Sequence, residues 1–356
     1  MDQMILAINP GSTSTKLGVY KNDVLTHTTS LHHSSQDLAG FDDIAEQKDF
    51  RQALTVKWLK DEGIALKSLT AIVARGGLLA PIPGGTYYIN EQMVEELQAG
   101  RYGKHASNLA ALIAFGLSKD LAIPAFIVDP VVVDELQAVA RISGHPKIPR
   151  VSIFHALNQK AIAQQMADIL GKPYVELNLI VAHLGGGISV GAHHKGRIVD
   201  VNQALSGEGP FSPERVGSLP TSGLVHYVFD HNKTKAELMR EFVGRSGLVA
   251  HLGSNDSREI VKRMEQGDEK AIFYYDAMCY QIAKEIGRIS TVLCGIVDQI
   301  VLTGGLAYST ELVTRVKERV SFIAPVTVIP GENELEALAL GALRVLTGQE
   351  EARIYA

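Results

Sequence analysis

Two arginines, Arg75 and Arg215, stand in glycine-bearing loops in opposite halves of the sequence. Guanidinium groups stay charged and match the oxygens of carboxylates and phosphates in a bidentate geometry. Asn9, Asp129 and Glu334 add hard oxygen atoms of the kind that bind Mg²⁺. Taken singly, each arginine is more typical of a surface salt-bridge partner than of a catalytic group. Together, these residues indicate a highly charged transition state, and phosphoryl transfer is the reaction that fits it.

Histidines stand beside several predicted strand ends and turns. His155 and His183 are in such positions, where an imidazole can serve as a hydrogen-bond donor or as a satisfied structural residue. His193 and His194 are adjacent and fall on opposite faces of a predicted strand, so we expect them to be structural. Taken singly, each of His155 and His183 is more typical of a satisfied structural residue than of a catalytic one.

Two stretches of similar design would position these groups. Residues 5–20 and 179–191 each contain an apolar run, a turn rich in glycine and small polar residues, and a second run. This pattern predicts two β-hairpins, which could be ordinary hairpins or phosphate-holding turns. A second copy of one design suggests duplicated domains facing a cleft. The chain lacks a G-x-x-x-x-G-K-[ST] loop and an H-R-D loop, so paired hairpins must hold the phosphates, as in the actin, sugar-kinase and heat-shock ATPase superfold.

The remaining segments alternate between the helical and the strand period. Helices are predicted over 38–62, over 156–170 and from Glu334 to Leu346, and strands over 69–74, 125–129 and 299–303. We therefore predict the α/β fold class. From the paired hairpins we further expect two duplicated ribonuclease H-like (actin-type ATPase) domains with a central interdomain cleft. A glycine- and proline-bearing connector at 141–150 divides the chain into domains at 1–150 and 151–334.

Composition narrows the class of function. A net charge of −5 over 356 residues argues against nucleic acid or a membrane surface as a partner. The two cysteines do not form a disulfide framework or a zinc site, and no leader or membrane-spanning run is apparent. We therefore expect a cytoplasmic enzyme.

Several short motifs in order identify a family. They are Ile8-Asn-Pro-Gly-Ser-Thr-Ser-Thr-Lys16, Arg75-Gly-Gly77, His105-Ala-Ser-Asn108, Phe126-Ile-Val-Asp129, Phe154-His155, His183-Leu-Gly-Gly-Gly187, Glu214-Arg-Val-Gly217, Asn255-Asp-Ser-Arg258, Leu302-Thr-Gly-Gly305 and Pro330-Gly-Glu-Asn-Glu334. With these motifs the sequence resembles the acetate and butyrate kinase family over essentially its whole length, and it is most similar to the butyrate kinase branch.

The resemblance implies reversible phosphoryl transfer between ATP and a short-chain carboxylic acid, giving ADP and an acyl phosphate, with Mg²⁺. The implied catalytic residues are Asn9, Arg75, Asp129, His155, Arg215 and Glu334, of which Asn9, Asp129 and Glu334 are also the implied metal ligands. The implied nucleotide residues are Ser12, Ser14, Lys16, His183, Gly185, Gly186, Gly187, Asp256, Ser257, Arg258, Gly304 and Gly305. The resemblance also implies a homodimer or larger homo-oligomer, and a C-terminal helix at 335–356 that completes the first domain.

Glycines at Gly76, Gly77 and Gly186 depart from the acetate kinase pattern. We expect Gly76 and Gly77 to enlarge an acyl pocket that also includes His105 and Phe154, and so to favour butyrate or branched acids. The alternatives are an acetate or propionate kinase of the same family and, more distantly, a sugar kinase of the same superfold. A non-catalytic chaperone or repressor is disfavoured, because the sequence shows no peptide-binding extension and no basic helix-turn-helix module.

Overall fold

The computed structural model describes residues 2–205 and 207–356. The chain divides into unit 1, which runs to Asp134 and resumes at Asn333–Ala356, and unit 2, which is Glu135–Glu332. The division lies before the predicted connector at 141–150, which belongs to unit 2. The reason is Arg150, whose guanidinium donates to Asp200 Oδ1 at 2.9 Å and to the Val201 carbonyl at 2.9 Å.

Unit 1 is built on a seven-stranded sheet. Its strands are β1 (Met4–Pro10), β2 (Ser14–Lys21), β3 (Val24–His32), β4 (Ala71–Arg75), β5 (Thr86–Tyr88), β6 (Ala125–Val128) and β12 (Arg353–Ile354). Its helices are α1 (Ser35–Leu38), α2 (Lys48–Asp61), α3 (Glu91–Ala99), α4 (Asn108–Leu121) and α12 (Glu334–Leu346). The strand order is β12-β5-β6-β4-β1-β2-β3.

The central strands of this sheet are buried on both faces. β1, β4 and β6 are parallel to one another, and both α4 and α12 pack on all three. Their sequences are accordingly continuous apolar runs such as Ile5-Leu-Ala-Ile8, as expected for parallel strands between helices. The antiparallel strands β2 and β3 extend the sheet on the other side of β1.

Unit 2 repeats this plan with a five-stranded sheet. Its strands are β7 (Asn178–Leu184), β8 (Ile188–His194), β9 (Arg197–Val201), β10 (Gln299–Thr303) and β11 (Val326–Val328). Its helices are α5 (Ala156–Leu170), α6 (Thr221–Asp230), α7 (Lys235–Gly244), α8 (Leu248–Leu252), α9 (Ser257–Glu265), α10 (Glu269–Val292) and α11 (Thr310–Val320). The strand order is β11-β10-β7-β8-β9. As in unit 1, three consecutive strands (β7, β8 and β9) form an antiparallel meander, and the strands on the other side of the first one (β10 and β11) are parallel to it. The prediction of a duplicated α/β fold is confirmed.

Two predicted helices are corrected. The helix predicted over 38–62 begins only at Lys48, because the Asp43 side chain caps a separate 3₁₀ turn at Ile44–Gln47. The C-terminal helix ends at Leu346, as its side-chain period predicts, and does not continue to residue 356 as the resemblance implied. The tail instead adds β12 beside β5 and buries Tyr355, which is 2% exposed and hydrogen-bonded to the main-chain N–H of Ala80. Over the described residues, no helix is long and apolar enough to cross a bilayer.

Candidate active site

Three predicted site residues of unit 1 lie at the carboxyl ends of neighbouring parallel strands. Asn9 is at the end of β1, Arg75 is the last residue of β4, and Asp129 directly follows β6. These strands are adjacent in the order β6-β4-β1, so the three residues share one edge of the sheet. In open α/β sheets this is the edge at which ligands bind.

Glu334 joins two of these residues through its carboxylate. It is the first residue of α12, and its Oε1 lies 2.8 Å from Arg75 Nη1, while its Oε2 accepts a hydrogen bond from Asn9 Nδ2 at 2.6 Å. Arg75 also approaches Asn9 Oδ1 at 3.4 Å. The Arg75 side chain is 39% exposed, so this ion pair leaves the guanidinium accessible to a ligand.

Asp129 is held by the backbone beside it. The residue is buried, its Oδ1 accepts a hydrogen bond from the Gly85 N–H at 2.7 Å, and its φ of +37° is unusual for a residue with a side chain. Such backbone strain is often found at functional positions.

These residues also bear on the predicted Mg²⁺ site. No group of three or more acidic, histidine or cysteine residues among those described could hold a metal ion. The donor chemistry of the two carboxylates and the Asn9 amide oxygen is compatible with Mg²⁺, because Mg²⁺ usually takes one or two carboxylates and completes its ligands with water and substrate phosphates. A shared metal site at these three residues stays a prediction.

The first hairpin connects β1 to β2, and the Arg51 side chain binds the main-chain carbonyls of its turn. Arg51 is fully buried on α2, and its guanidinium donates to the carbonyls of Gly11 (2.8 Å), Ser12 (2.8 Å) and Ser14 (3.0 Å). The peptide bonds here are trans, so a carbonyl that points toward Arg51 directs the following N–H away from it. The N–H groups of Ser12 and Thr13 have no acceptor among the described residues and are available to an anion. Lys16 is exposed and pairs in register with Asn9.

The second hairpin brings Gly185, Gly186 and Gly187 together with Arg215. A Cβ on Gly187 would overlap Arg215 Nη1, so only glycine lets the guanidinium lie against this turn. Arg215 Nη1 donates to the Ala204 carbonyl at 2.7 Å, and the buried Nε has no hydrogen-bond partner within the described part of the chain. Burial lowers the pKa of Arg215, while the charge of Glu214 opposes that change. An unpaired buried donor beside a glycine turn fits an anionic ligand.

The two predicted site histidines of unit 2 are in contact. The rings of His155 and His183 stack with centroids 3.8 Å apart and an interplanar angle of 13°. His155 Nδ1 is 2.9 Å from Ser189 Oγ, and His183 Nδ1 is 2.7 Å from Asn158 Oδ1. On its other side, His183 Nε2 lies 3.1 Å from Glu332 Oε1. Both imidazoles are therefore held by named partners.

A cavity of about 1250 Å³ in unit 2 gathers most of the remaining predicted nucleotide residues. Asp256, Ser257, Arg258 and Gly305 line it. Asp256 caps α9, and the Arg258 guanidinium closes back on its carboxylate at 2.8 Å, which lowers the pKa of Asp256 to about 2. The volume is ample for a drug-sized ligand.

Two contacts place this cavity next to the second hairpin. Gly304, just before Gly305, has φ +88°, and a Cβ there would overlap the backbone of Leu184 at the end of β7. Asn255, which lines the cavity, donates to Glu214 Oε2 at 3.3 Å, and a Cβ on Gly186 would lie 3.1 Å from the other oxygen of the same carboxylate. The glycine turn and the cavity are thus contiguous within unit 2.

The two glycines after Arg75 were expected to enlarge an acyl pocket, but they have close neighbours in the structure. A Cβ on Gly77 would lie 2.6 Å from Leu97 Cδ2 and 2.8 Å from Asn108 Cα, and one on Gly76 would overlap Pro130. These glycines permit close packing, so the expectation that they open space for a longer acyl chain is wrong.

The other two residues of the predicted acyl pocket have different surroundings. His105 is exposed near the start of α4, and its pKa is lowered by desolvation and then by the charge of Arg75. Phe154 is buried in unit 2. Membership of an acyl pocket stays a prediction for all four residues.

Sequence reasoning missed Arg51, Glu214, Glu332 and Ser189. A signal existed for Arg51: it falls on the buried stripe of α2 with Thr55, Trp58 and Leu59, where an arginine is out of place unless it is hydrogen-bonded. Glu214 and Glu332 lie inside motifs that were recognised, but only the fold shows that their carboxylates face the second hairpin.

Comparisons with known proteins identify the family of the chain. The sequence profile described as "Acetokinase family" matches residues 147–329. The chain is 53% identical over 356 residues to the "Probable butyrate kinase" of Coprothermobacter proteolyticus, covering all of both chains. It is 50% identical over 351 residues to "Butyrate kinase 2" of Clostridium acetobutylicum, covering 99% of each chain.

Solved structures share the fold. The crystal structure of Porphyromonas gingivalis acetate kinase superposes with a TM-score of 0.76 at 19% identity, covering 98% of this chain and 100% of that one. A propionate kinase from Francisella tularensis gives a TM-score of 0.72 at 18% identity, covering 95% of this chain and 98% of that one. At these identities the similarity supports the architecture alone.

Proposed function

This chain belongs to the acetokinase family, and from that premise we propose that it is a butyrate kinase. The reaction is reversible transfer of the terminal phosphoryl group of ATP to a short-chain carboxylate, giving butanoyl phosphate and ADP. The family assignment confirms the resemblance found in the sequence. The two relatives that match over nearly their full length are named "Probable butyrate kinase" and "Butyrate kinase 2", which supports a carboxyl group as the phosphoryl acceptor.

One observation supports a carboxylate acceptor above the others: the predicted site residues supply positive charge and N–H donors. Arg75, Arg215 and the turn amides are all of this kind. A carboxylic acid is already ionised at pH 7, since its unperturbed pKa is near 4. Its oxygen can attack the terminal phosphorus in line while the bond from phosphorus to the ADP oxygen breaks, and no base has to remove a proton.

Each arginine has a distinct part in this proposal. Arg75 binds the substrate carboxylate, and Arg215 binds the transferring phosphoryl group, with His155 donating a hydrogen bond to the same group. Neutralising the charge on both reactants removes the repulsion that opposes in-line attack. Glu334 holds Arg75 in place through the 2.8 Å ion pair until substrate binds.

The nucleotide occupies unit 2 in this proposal. The cavity at Asp256, Ser257 and Arg258 takes the nucleoside, and the contiguous glycine turn at 185–187 takes the phosphates. The first hairpin adds the N–H groups of Ser12 and Thr13. Asn9, Asp129 and Glu334 would hold Mg²⁺, which when bound neutralises phosphate charge.

The acid preference separates this proposal from its nearest alternatives. In an ATP- and Mg²⁺-dependent assay that traps acyl phosphate with hydroxylamine, we expect butyrate or a branched four- or five-carbon acid to give the highest kcat/KM. Neighbouring chain lengths should remain substrates, because one methylene is worth only about 1–3 kcal/mol of discrimination. Acetate as the best substrate would make the enzyme an acetate kinase, and turnover of a sugar panel without acyl phosphate would reject the carboxylate kinase.

The setting of the enzyme is part of the same proposal. We propose a cytoplasmic homodimer or larger homo-oligomer, as the family resemblance implies. Cys279 is buried and Cys294 is exposed, and both are free thiols. Light scattering at working concentration measures the assembly, and a monomer there would reject it.

A further inference from the structure

A continuous chain of side-chain hydrogen bonds runs through unit 2 and ends at His155. Tyr174 Oη is 2.8 Å from His193 Nδ1, and His193 Nε2 is 3.0 Å from Gln159 Oε1. Gln159 Nε2 is 2.8 Å from Ser189 Oγ, which in turn is 2.9 Å from His155 Nδ1. Gln159, Ser189 and His193 are fully buried, so water does not compete for these contacts.

The Gln159 amide gives this chain its direction. Its Nε2 also lies 3.1 Å from the main-chain carbonyl of Ser189, which can only accept a hydrogen bond. This contact sets the amide so that Oε1 faces His193. His193 Nε2 must therefore carry a hydrogen. Burial, and then the charge of Lys160, lower the pKa of His193 to about 3, so the ring is neutral and its Nδ1 accepts from Tyr174.

The same logic continues to His155. Ser189 Oγ accepts a hydrogen bond from Gln159 Nε2, and within the described part of the chain its only other hydrogen-bond partner is His155 Nδ1. The buried hydroxyl must donate its hydrogen to some acceptor, so it donates to His155 Nδ1. A nitrogen that accepts a hydrogen bond carries no hydrogen, and a neutral imidazole has one hydrogen on one of its two nitrogens. The hydrogen of His155 is therefore on Nε2.

We propose that Gln159 and Ser189 are positioning residues that fix His155 in its Nε2–H tautomer, so that this ring nitrogen is a preset donor to the transferring phosphoryl group. The inference rests on the proposed function for the identity of the acceptor. The tautomer itself follows from the hydrogen bonds alone. A preset donor needs no reorientation as charge develops on the phosphoryl oxygens.

The substitution Gln159→Glu tests the direction of the chain with nearly unchanged shape. A carboxylate cannot donate, so Ser189 would turn its hydroxyl toward Glu and accept from His155 Nδ1, moving the ring hydrogen to that nitrogen. The control is Gln165→Glu, an exposed position on the same helix α5. ¹⁵N–¹H correlation spectra of histidine-labelled protein report each tautomer, with the His155 signals identified from a His155→Gln sample.

We expect Nε2–H at His155 in the native protein and in Gln165→Glu, and Nδ1–H in Gln159→Glu. We also expect kcat in Gln159→Glu to fall about 100-fold, the loss typical of removing one preset donor, with KM for ATP within about twofold. If Gln159→Glu does not fold, Ser189→Ala serves instead and should give a mixture of both tautomers.

An Nδ1–H ring in the native protein, or an unchanged Nε2–H ring in the variant, overturns the proposal. Because the spectra need no substrate, they test the tautomer separately from the activity. A native protein without carboxylate kinase activity but with the Nε2–H ring would reject the proposed function and retain the tautomer assignment.

Discussion

The substitution Arg51→Met removes the guanidinium beneath the first hairpin and keeps an unbranched side chain in the same space. In the native structure this guanidinium satisfies the carbonyls of Gly11, Ser12 and Ser14, and also Gln47 Oε1 at 2.7 Å. Methionine offers none of these hydrogen bonds. The turn would therefore lose the group that holds its carbonyls inward.

The size of the stability loss depends on how many of the acceptors that the loss of Arg51 leaves unpaired are also out of reach of water. Ser12 and Thr13 are exposed, so water can reach part of the turn once it relaxes. Taking two of the acceptors as unsatisfied, at about 1–3 kcal/mol each, we expect a loss of about 3 kcal/mol in the free energy of unfolding. For a unit of this size, that corresponds to a melting temperature lowered by about 6–12 °C.

The same substitution should weaken phosphate binding. Without Arg51 the carbonyls of the turn can rotate outward, and the N–H groups of Ser12 and Thr13 then no longer point to a common anion. We expect KM for ATP to rise about tenfold or more in the folded variant. Arg51→Lys keeps a charge with fewer directed donors and should fall between Arg51→Met and the native protein.

Calorimetric melting and steady-state kinetics at a temperature where every variant is folded provide the assay. Lys57→Met is the matched control, since Lys57 is on the same helix with its side chain 70% exposed, and it should change stability by less than about 0.5 kcal/mol. The expected decrease in melting temperature is about 6–12 °C. An Arg51→Met protein whose melting temperature falls by only about 2 °C or less, and whose KM for ATP is unchanged, would refute the reasoning.

Two further substitutions test unit 1. Gly77→Ala places a Cβ 2.6 Å from Leu97 Cδ2, so we expect it to lower the free energy of unfolding by about 1–3 kcal/mol, measured with denaturant. The order of acid preference should stay unchanged. A shift toward shorter acids without loss of stability would restore the acyl-pocket interpretation. Glu334→Gln removes the anionic partner of Arg75, an ion pair whose exposure limits its contribution to stability to about 1 kcal/mol or less. Its kcat should nevertheless fall about tenfold or more, and a kcat within twofold of the native value would contradict the role assigned to Glu334.

The sequence by itself determined the local elements. Helix α5 at Ala156–Leu170 and strand β10 at Gln299–Thr303 have the predicted bounds, and both hairpins form where glycine turns interrupt apolar runs. These features depend on side-chain period and turn chemistry within a few residues, which the sequence displays directly. The order of the motifs was also sufficient to identify the family.

Only the tertiary structure decided which polar groups meet. Glu334 is 325 positions from its partner Asn9, and Arg51 is 40 from Gly11. The chain that directs His155 joins side chains from α5 and β8. The two glycines after Arg75 were misinterpreted for the same reason, since nothing near them in the sequence shows that Asn108 and Pro130 fill the adjacent space. Contacts between distant residues depend on how the elements pack, and side-chain period along a single segment carries no information about that packing.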